Sequence, residues 1–295
     1  MKLSVIIPCF NAAKTIGPLL LSLQNQQWDH PWEIILADNG STDNSVEVAR
    51  QYAKRIQNLR IIDASARRGQ TFAMNRGLKL ALGKTFVFID SDDEAAPGWV
   101  AAIGNALQIH DSVASRFDIT KLNPPWVQKS RGWPQQDGLT QYDPPYLPYA
   151  GDCGLGITRK VYETVGEFDE MLPYASDTDY CWRIQQKGFN LVFVHDALLH
   201  IRYRETLTGT FWQGWRWSDS NAVLRKKHHL PELTLRDWAR RWKNIFRLLP
   251  KMRDKGNFAY VLGKFGWRFG EAKAFLKYRD KGHTYELRNN PISAP

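Results

Sequence analysis

Residues 85–93 read TFVFIDSDD, an apolar run that ends in three carboxylates. The run Thr85–Ile89 is typical of a buried strand, and Asp90, Asp92 and Asp93 follow its carboxyl end. Carboxylate oxygens that leave coordination positions open suit Mg²⁺ or Mn²⁺ bridging to phosphate oxygens, which makes Asp92 a candidate metal ligand. Acids are also common in turns and before helices, so the motif by itself leaves both interpretations open.

The first 120 residues alternate short apolar runs with helical patterns. Strands are predicted at Leu3–Pro8, Glu33–Ala37, Leu59–Ile62 and Thr85–Ile89, and helices at Ala12–Gln27, Ser45–Arg55, Thr71–Leu82 and from about Pro97. This alternation indicates an α/β fold with a mostly parallel sheet flanked by helices. Ligands of such sheets bind beyond the carboxyl ends of the strands. We therefore expect the site at the loops Cys9–Asn11, Asp38–Asp43 and Asp90–Asp93.

The loop DNGSTD follows the second predicted strand. Gly40 and Asp43 fit a strand-to-helix turn in which Asp43 caps the next helix. Asp38 differs because it stands at the strand end, where its carboxylate can accept a hydrogen bond from a base or a ribose. The loop is thus predicted to combine a structural turn with one ligand-binding acid.

A third acidic segment is Ser176–Asp179, which reads SDTD. It predicts a helix start with Ser176 as the N-cap and Asp179 in the capping-box position. Asp177 is not needed by the cap, and a carboxylate there can act as a general base. Acids at helix N-termini are common without catalysis, so the segment alone favours structural roles for both acids.

His200 follows the apolar run Ala197–Leu199. A lone histidine is more often packed or exposed than a metal ligand, so the residue alone does not indicate a metal site. Arg202 and Arg204 stand beside it and are candidate phosphate partners.

Cysteine usage and hydropathy set the expected compartment. Three cysteines without a CxxC pair give neither a disulfide framework nor a metal pattern, which predicts a reducing compartment. The first residues, MKLSVIIPCFN, have too short an apolar run for a secretory signal. No stretch approaches the ~18 apolar residues of a membrane span. We expect a cytoplasmic protein, with peripheral attachment to the cytoplasmic face of a membrane as the alternative.

The net charge of +10 is unevenly distributed. Residues 201–295 hold 21 Lys and Arg against 8 Asp and Glu, a charge of +13, so residues 1–200 carry −3. This asymmetry predicts an acidic partner for the basic part, and it predicts two regions, 1–204 and 205–295.

The basic region has its own helical pattern. Thr234–Asp237 predicts the start of an amphipathic helix. Its apolar positions are Leu235, Trp238, Ala239, Trp242, Ile245, Phe246 and Leu249, and its basic positions are Arg236, Arg240, Lys243 and Arg247. A second segment, Phe258–Tyr278, has aromatics at similar spacing. Such faces either pack on the N-terminal domain or lie on an anionic membrane surface, near a lipid-linked acceptor.

Taken in order, the motifs resemble those of family-2 glycosyltransferases of the GT-A type. The residues that carry the resemblance are SVIIPCFNAAKTI, ILADNGSTDNS, GQTFAMNRGLKLALGKTFVFIDSDDE, GITRKVYETVGEFDE and SDTDYCWR. The ordered set, which covers roughly the first two thirds of the chain, is more specific than any one motif. The resemblance implies a Rossmann-like GT-A domain with a helical C-terminal extension.

The resemblance also implies an activity and a donor site. The activity is an inverting transfer of a sugar from a UDP-, GDP- or dTDP-linked donor to a hydroxyl of a glycan or lipid-linked acceptor, in cell-envelope glycan synthesis. Asp38 would contact the nucleotide base in a pocket lined by Pro8 and Phe10, and Asp90 would lie near the ribose. The other donor contacts implied are Asn11, Asn39, Gly69 and Ser91.

The same resemblance implies a metal site and a catalytic base. Asp92 would hold Mn²⁺ or Mg²⁺ on the diphosphate, and His200 would complete the metal shell. Asp177 would deprotonate the acceptor hydroxyl.

Three residues depart from the family pattern. Asn39 stands where the family has Asp, Met74 where it often has Arg, and Glu167 where it has Gly. Met74 removes one charge that contacts the donor, which Arg67, Arg68 or Arg76 could supply.

Two other classes of protein are alternatives to a glycosyltransferase. A sugar-1-phosphate nucleotidyltransferase would carry a Gly-rich, basic loop after the first strand, but PCFNAAKTIG has one glycine there. A nucleic-acid-binding protein would not have acidic loops in its cleft, so no nucleic-acid partner is expected.

Overall fold

The computed structural model describes residues 1–132, 134–172, 174–231 and 234–278. Within them, the strands are β1 Leu3–Cys9, β2 Trp32–Asp38, β3 Leu59–Asp63, β4 Thr85–Phe88, β5 Glu94–Ala95, β6 Ser112–Asp118, β7 Leu155–Thr158 and β8 Leu191–His200. The helices are α1 Ile16–Gln24, α2 Ser45–Ala53, α3 Gln70–Leu80, α4 Trp99–Ala106, α5 Pro125–Arg131, α6 Arg159–Val165, α7 Ser176–Gln186, α8 Leu207–Lys227, α9 Leu235–Phe246 and α10 Lys255–Tyr278. A short 3₁₀ helix spans Leu249–Lys251.

The strands form one sheet in the order β3-β2-β1-β4-β7-β6-β8-β5. The first four strands in this order are parallel, β7 is antiparallel to both β4 and β6, and β6 pairs in parallel with β8. Cys9 lies opposite Asp38, so β1 and β2 end together at one edge of the sheet. The predicted α/β fold of GT-A type, mostly parallel and flanked by helices, is confirmed.

Apolar residues cover both faces of the central strands. All seven residues of β1 are buried, which is the pattern of a parallel strand with helices on both sides. Ile7 points into the core that contains α1, and Ile6 into the core that contains α3. A Cβ at Gly77 of α3 would clash with Ile6, so this glycine permits the close approach of α3 to β1.

Three helix starts differ from the prediction. Helix α1 begins at Ile16 instead of Ala12, because the backbone N–H of Ala12 donates to Ser45 Oγ at 2.7 Å and holds this segment as a loop. Helix α4 begins after Gly98, whose left-handed φ of 83° places Pro97 outside the helix. Helix α7 has Ala175 as its N-cap residue and Ser176 as its first residue, so the predicted capping box is wrong.

Helices α8 and α10 pack with their backbones in close contact. Thr210, Gly214 and Ser218 of α8 are buried against the glycines of α10. A Cβ at Gly266 would overlap the carbonyl oxygen of Phe211, and one at Gly270 would overlap Ser218. Small residues therefore occupy the positions at which these two helices approach most closely.

The basic region also contacts the rest of the protein, in part through ion pairs. Lys129 of α5 forms an ion pair of 2.7 Å with Asp254, just before α10. Lys227 at the end of α8 forms an ion pair of 2.8 Å with Asp179 of α7. None of the helices in the described ranges combines the length and the apolarity that crossing a bilayer requires.

Candidate active site

The loops after β1 and β2 are joined by side-chain hydrogen bonds. Asn11, with a left-handed φ of 51°, accepts a hydrogen bond of 2.8 Å from the Thr42 backbone N–H. Its own N–H donates to Ser41 Oγ at 3.0 Å. Asp38 in turn accepts from the Ser41 N–H at 3.2 Å. The predicted donor contacts Asn11 and Asp38 thus lie together beyond the strand ends, while Pro8 is buried within β1.

Asn39 holds the loop that precedes α3. Its Nδ2 donates to the carbonyl oxygens of Ala64 at 2.6 Å and Arg67 at 2.7 Å, and its Oδ1 accepts from the Gly69 N–H at 2.8 Å. The Asp of the family pattern has no hydrogens to donate to two carbonyl groups, so Asn fits this loop. Gly69 has a φ of 142°, a conformation that favours glycine.

Phe10 lies at the exposed end of β1 with 42% of its surface accessible. The guanidinium of Arg68 lies 4.6 Å from the centroid of its ring. Of the other two candidate arginines, Arg67 forms an ion pair with Glu170, and Arg76 lies near Asp63. Met74 is buried in the core. Arg68 is therefore the candidate that lies beside a predicted base-binding residue.

The acids after β4 face two residues that the sequence analysis missed. Gln70 Nε2 donates to Asp90 Oδ1 at 2.9 Å and to Asp152 Oδ2 at 3.2 Å. Burial raises the pKa of Asp90 well above its usual value, and the charges of Asp152, Asp93 and Asp92 raise it further. Asp152 comes from the loop before β7, more than 60 residues along the chain, and no motif in the sequence marks it.

Asp93 is buried and hydrogen-bonded. Its carboxylate accepts a hydrogen bond of 2.7 Å from the Arg202 backbone N–H and one of 2.9 Å from the Cys153 thiol. Burial and the neighbouring Asp92 raise the pKa of Asp93 to about 8. Arg202 also donates from Nε to the Asp92 carbonyl oxygen at 3.1 Å, so the residues after β8 hold the acidic loop in place.

This acidic loop fits a divalent cation. Burial raises the pKa of Asp92, although the charges of Arg202 and Arg204 oppose the shift. Several carboxylates forced together with raised pKa values are stabilised in their ionised form by a cation. In the described part of the chain, the group of three potential ligand atoms within 4.8 Å of one another comprises Asp90, Asp93 and Cys153. The oxygens of this group suit Mg²⁺ or Mn²⁺, whereas its thiol, whose pKa burial raises well above the usual value, does not.

The two predicted metal ligands lie outside that group. Asp92 follows Ser91 in the same turn, in which the Asp93 N–H donates to the Asp90 carbonyl oxygen at 3.2 Å. His200 is the last residue of β8 and lies opposite Glu94. Its Nδ1 is hydrogen-bonded to Asp118 at 2.6 Å, which orients the ring and leaves ligation to Nε2. The metal roles of Asp92 and His200 stay predictions.

Asp177 lies in the first turn of α7 and faces the same acids. Its Oδ1 accepts from the Thr178 N–H at 2.6 Å and from Thr178 Oγ at 3.2 Å. Burial raises the pKa of Asp177, and the charge of Asp152 adds to this, to about 7. A carboxylate with a pKa near the working pH is suited to accept a proton. The arrangement is compatible with the predicted role of Asp177 as the base.

Asp179 has a different environment. Its side chain is fully buried. It forms ion pairs of 2.8 Å with Arg183 and Lys227 and is hydrogen-bonded to His228 Nε2 at 2.8 Å. Burial acts to raise the pKa of Asp179, but the hydrogen bond from His228 and the charges of Arg183 and Lys227 outweigh it and lower the pKa to about 2. The carboxylate is structural, as the sequence predicted, but it forms ion pairs instead of the expected helix cap.

The comparison with protein families decides which class of protein has this site. The model described as glycosyl transferase family 2 matches residues 4–166, more than half of the chain. The chain belongs to glycosyl transferase family 2. This assignment favours glycosyl transfer over the two alternative classes weighed from the sequence.

Individual relatives of this family-2 protein match parts of it. It is 37% identical over 131 residues to the uncharacterized glycosyltransferase YibD of Escherichia coli K12, an alignment that covers 44% of this chain and 36% of YibD. The chain spans less than two thirds of the length of the first curated relatives that it matches.

Two solved structures share its fold. Residues 1–349 of S. aureus TarS in complex with UDP-GlcNAc superpose with a TM-score of 0.52 at 17% identity, over 94% of this chain and 92% of that one. The mannosyltransferase PcManGT from Pyrobaculum calidifontis in complex with GDP-Man and Mn²⁺ superposes with a TM-score of 0.59 at 20% identity, over 96% of this chain and 76% of that one.

Proposed function

We propose that this protein is a metal-dependent, inverting glycosyltransferase that moves a sugar from a nucleotide-sugar to an acceptor hydroxyl. The observation that carries the proposal is the position of Asp177, whose pKa is raised to about 7, beside the acids that follow β4. A proton acceptor and a cation-binding loop thus face one space, as a displacement at a sugar carbon requires. Both related structures contain nucleotide-sugars, and that of PcManGT also contains Mn²⁺.

In this proposal, the donor binds across the strand ends. Phe10 and Asp38 contact the base, Asn39 and Gly69 shape the adjoining loop, and Asp90 lies near the ribose. Asp92 with His200 would hold Mn²⁺ or Mg²⁺, which would supply positive charge where the nucleoside diphosphate leaves. The donor is UDP-, GDP- or dTDP-linked.

Asp177 then removes the proton from the acceptor hydroxyl. The Thr178 N–H fixes the orientation of the Asp177 carboxylate, so that its other oxygen can receive the proton. The oxygen of the acceptor forms a bond to the anomeric carbon as the bond to the diphosphate breaks, on the opposite face of the sugar. A single displacement of this kind inverts the anomeric centre.

The acceptor is a glycan or a lipid-linked glycan of the cell envelope, and we propose that the basic region binds an anionic membrane surface. Among the described residues of this region, nine large apolar side chains are exposed: Trp212, Trp217, Phe246, Leu249, Phe258, Tyr260, Phe269, Phe275 and Leu276. The described residues of 1–204 include eight such side chains. Exposed apolar area at this density is unusual for a surface that meets only water.

Part of these side chains forms a continuous aromatic ridge across three helices. Ring centroids follow one another from Trp212 to Phe211 at 5.3 Å, then to Phe269 at 6.4 Å, Trp242 at 5.6 Å and Phe246 at 6.1 Å. Exposed basic residues of α9 lie in the same helix as Trp242 and Phe246: Arg236, Arg240 and Lys243. Aromatic rings beside cations are the composition of surfaces that bind anionic lipid. Attachment there would place the enzyme at the cytoplasmic face of the membrane.

A ligand screen tests the catalytic proposal. Nucleoside diphosphates and nucleotide-sugars with Mn²⁺ should raise the unfolding temperature, and EDTA should abolish the increase. The stabilising nucleotide-sugar should then be hydrolysed slowly, with the released sugar inverted in NMR spectra. Stabilisation that is the same with EDTA, or release of the sugar with retained configuration, would contradict the proposal.

A further inference from the structure

Arg131, the last residue of α5, has a guanidinium group that the protein surrounds but does not pair. Its Nε and Nη2 atoms are buried and have no hydrogen-bond partner among the described residues. The guanidinium lies over the ring of Tyr203, 4.9 Å from the centroid. An aromatic face attracts the positive charge, but it accepts no hydrogen bond in the plane of the guanidinium. Two strong donors therefore remain unsatisfied.

A second positive charge, that of Arg204, acts on Arg131. Burial lowers the pKa of Arg131. Tyr203 opposes this shift, and the nearby guanidinium of Arg204, whose influence is weaker than that of Tyr203, adds to it. Arginine nevertheless stays protonated in proteins, so two positive charges are held close together. A buried cation without a counter-ion is unfavourable, and an anion between the two groups would remove that cost.

The segment that carries Tyr203 and Arg204 lies beside the acidic loop. Arg202, two residues before Arg204, donates its N–H to Asp93 and its Nε to the Asp92 carbonyl oxygen. The charge of Arg204 acts on Asp92, the predicted metal ligand. An anion bound by Arg131 and Arg204 would thus be close to a cation bound by Asp92. Phosphate oxygens are the anions that commonly take both kinds of partner.

We infer that Arg131 and Arg204 bind a phosphate group of a substrate. The inference rests on the proposed function, since it names a substrate group beside the proposed metal. The phosphate has two sources, the diphosphate of the donor or a phosphate carried by the acceptor. Helix α5 belongs to the Pro-rich segment 123–149, and Lys129 joins it to α10 of the basic region. Arg131 therefore packs on the segment that is held to the acidic loop, and its helix is also joined to the basic region.

Calorimetric titrations of Arg131→Met and Arg204→Met test the inference. Methionine keeps an apolar side chain over Tyr203 but removes the charge and the donors. Arg55→Met, an exposed arginine near the end of α2, is the matched control. The probes are UDP and GDP with Mn²⁺, and inorganic phosphate added to enzyme saturated with whichever nucleotide binds.

The two sources give different results. If the donor diphosphate is the ligand, both variants should bind the nucleoside diphosphate about tenfold more weakly or worse, because two charge-assisted hydrogen bonds are lost. If an acceptor phosphate is the ligand, nucleotide affinity should not change. The nucleotide-saturated wild type and Arg55→Met should then bind inorganic phosphate, whereas both variants should not.

A stability measurement separates this role from a structural one. Because Nε and Nη2 of Arg131 have no hydrogen-bond partner among the described residues, Arg131→Met should not lower the unfolding temperature, and Arg131→Lys should retain weaker phosphate binding. Unchanged affinity of both variants for every probe would overturn the inference. Failure of the proposed function would look different: the wild type would transfer no sugar from any nucleotide-sugar, while phosphate binding by Arg131 and Arg204 could still be measured.

Discussion

Burial and the neighbouring carboxylate of Asp152 raise the pKa of Asp177 to about 7. The two acids come from different parts of the chain, Asp152 from the loop before β7 and Asp177 from the first turn of α7. A base with this pKa is largely ionised only above neutral pH. Asp152 therefore influences when the proposed base can act, without itself having to touch the acceptor.

The first prediction separates catalysis from binding. Asp177→Asn removes the proton acceptor but keeps the size of the side chain, so we expect near-normal affinity for donor and metal, with turnover reduced by ~10²–10⁴. Asp179→Asn is the comparison, because it weakens two ion pairs and a hydrogen bond with His228 and should lower the unfolding temperature more than the rate. Full activity of Asp177→Asn, or a loss of donor affinity equal to the loss of rate, would assign the base elsewhere.

The second prediction concerns pH. Wild-type turnover should fall as the pH drops below about 7, because Asp177 then becomes protonated. Asp152→Asn removes one negative charge and should move this acid limb to lower pH. The check is a profile of rate against pH at saturating donor and metal. An acid limb that stays in place in Asp152→Asn would show that Asp152 does not act on the base.

The raised pKa of Asp177 should also make the free energy of unfolding depend on pH. A carboxyl whose pKa is raised on folding prefers its protonated form in the folded protein. The stability that Asp177 contributes is therefore present below pH ~4, the unfolded value, and is lost as the pH rises through about 7. In Asp177→Asn, the free energy of unfolding should depend less on pH within this window.

The third prediction tests the metal site. Asp92→Ala should abolish the Mn²⁺-dependent part of nucleoside diphosphate binding while leaving the fold intact, since Asp92 makes no side-chain ion pair among the described residues. Circular dichroism controls for folding, and titration of nucleotide at several Mn²⁺ concentrations measures the effect. An unchanged affinity with an unchanged metal response would remove Asp92 from the metal site.

The fourth prediction concerns the membrane surface. Liposomes that contain anionic lipid should sediment the protein at low salt and release it as salt rises, because screening weakens the attraction of the basic residues. Phe246→Ser together with Trp212→Ser should weaken binding to anionic liposomes. Leu82→Ser, which replaces an exposed apolar residue outside the basic region, is the control. Equal failure to bind anionic and neutral liposomes would leave the helices with a packing role alone.

The fifth prediction tests the close packing of α8 and α10. Helix propensity alone predicts that Gly266→Ala stabilises the protein by up to ~1 kcal/mol. The structure predicts the opposite sign, because the added methyl group would overlap the Phe211 carbonyl oxygen, and overpacking typically costs ~1–3 kcal/mol. Chemical denaturation measures the difference. Stabilisation by Gly266→Ala would mean that the two backbones do not lie so close together.

The strand-end loops could be predicted from the sequence because their signals are local. An apolar run followed by acids, as at Thr85–Asp93, indicates both the strand and the edge at which its acids lie. The helix start at Thr234 was predicted for the same reason, and a complete capping box with Asp237 is present.

The remaining site residues could not be predicted because their signals are not local. Gln70 and Asp152 meet across 82 positions of the chain, and nothing near Asp152 in the sequence indicates burial beside Asp90. The capping box assigned to Ser176 and Asp179 was wrong because Asp179 instead contacts Arg183, Lys227 and His228, two of which lie far along the chain. The aromatic spacing of α10 predicts a helix, but it does not indicate that the glycines of this helix pack closely against α8.

The ion pairs of Asp179 limit how freely this protein can be recombined with its relatives. Two of its three side-chain partners, Lys227 and His228, belong to the basic region, whereas Asp177, two positions before it, is the proposed base. A chimera that joins residues 1–204 to the C-terminal region of another enzyme would leave this carboxylate buried with Arg183 alone. Any exchange of acceptor specificity or of membrane attachment by swapping tails must therefore supply replacement cations at this one position of α7.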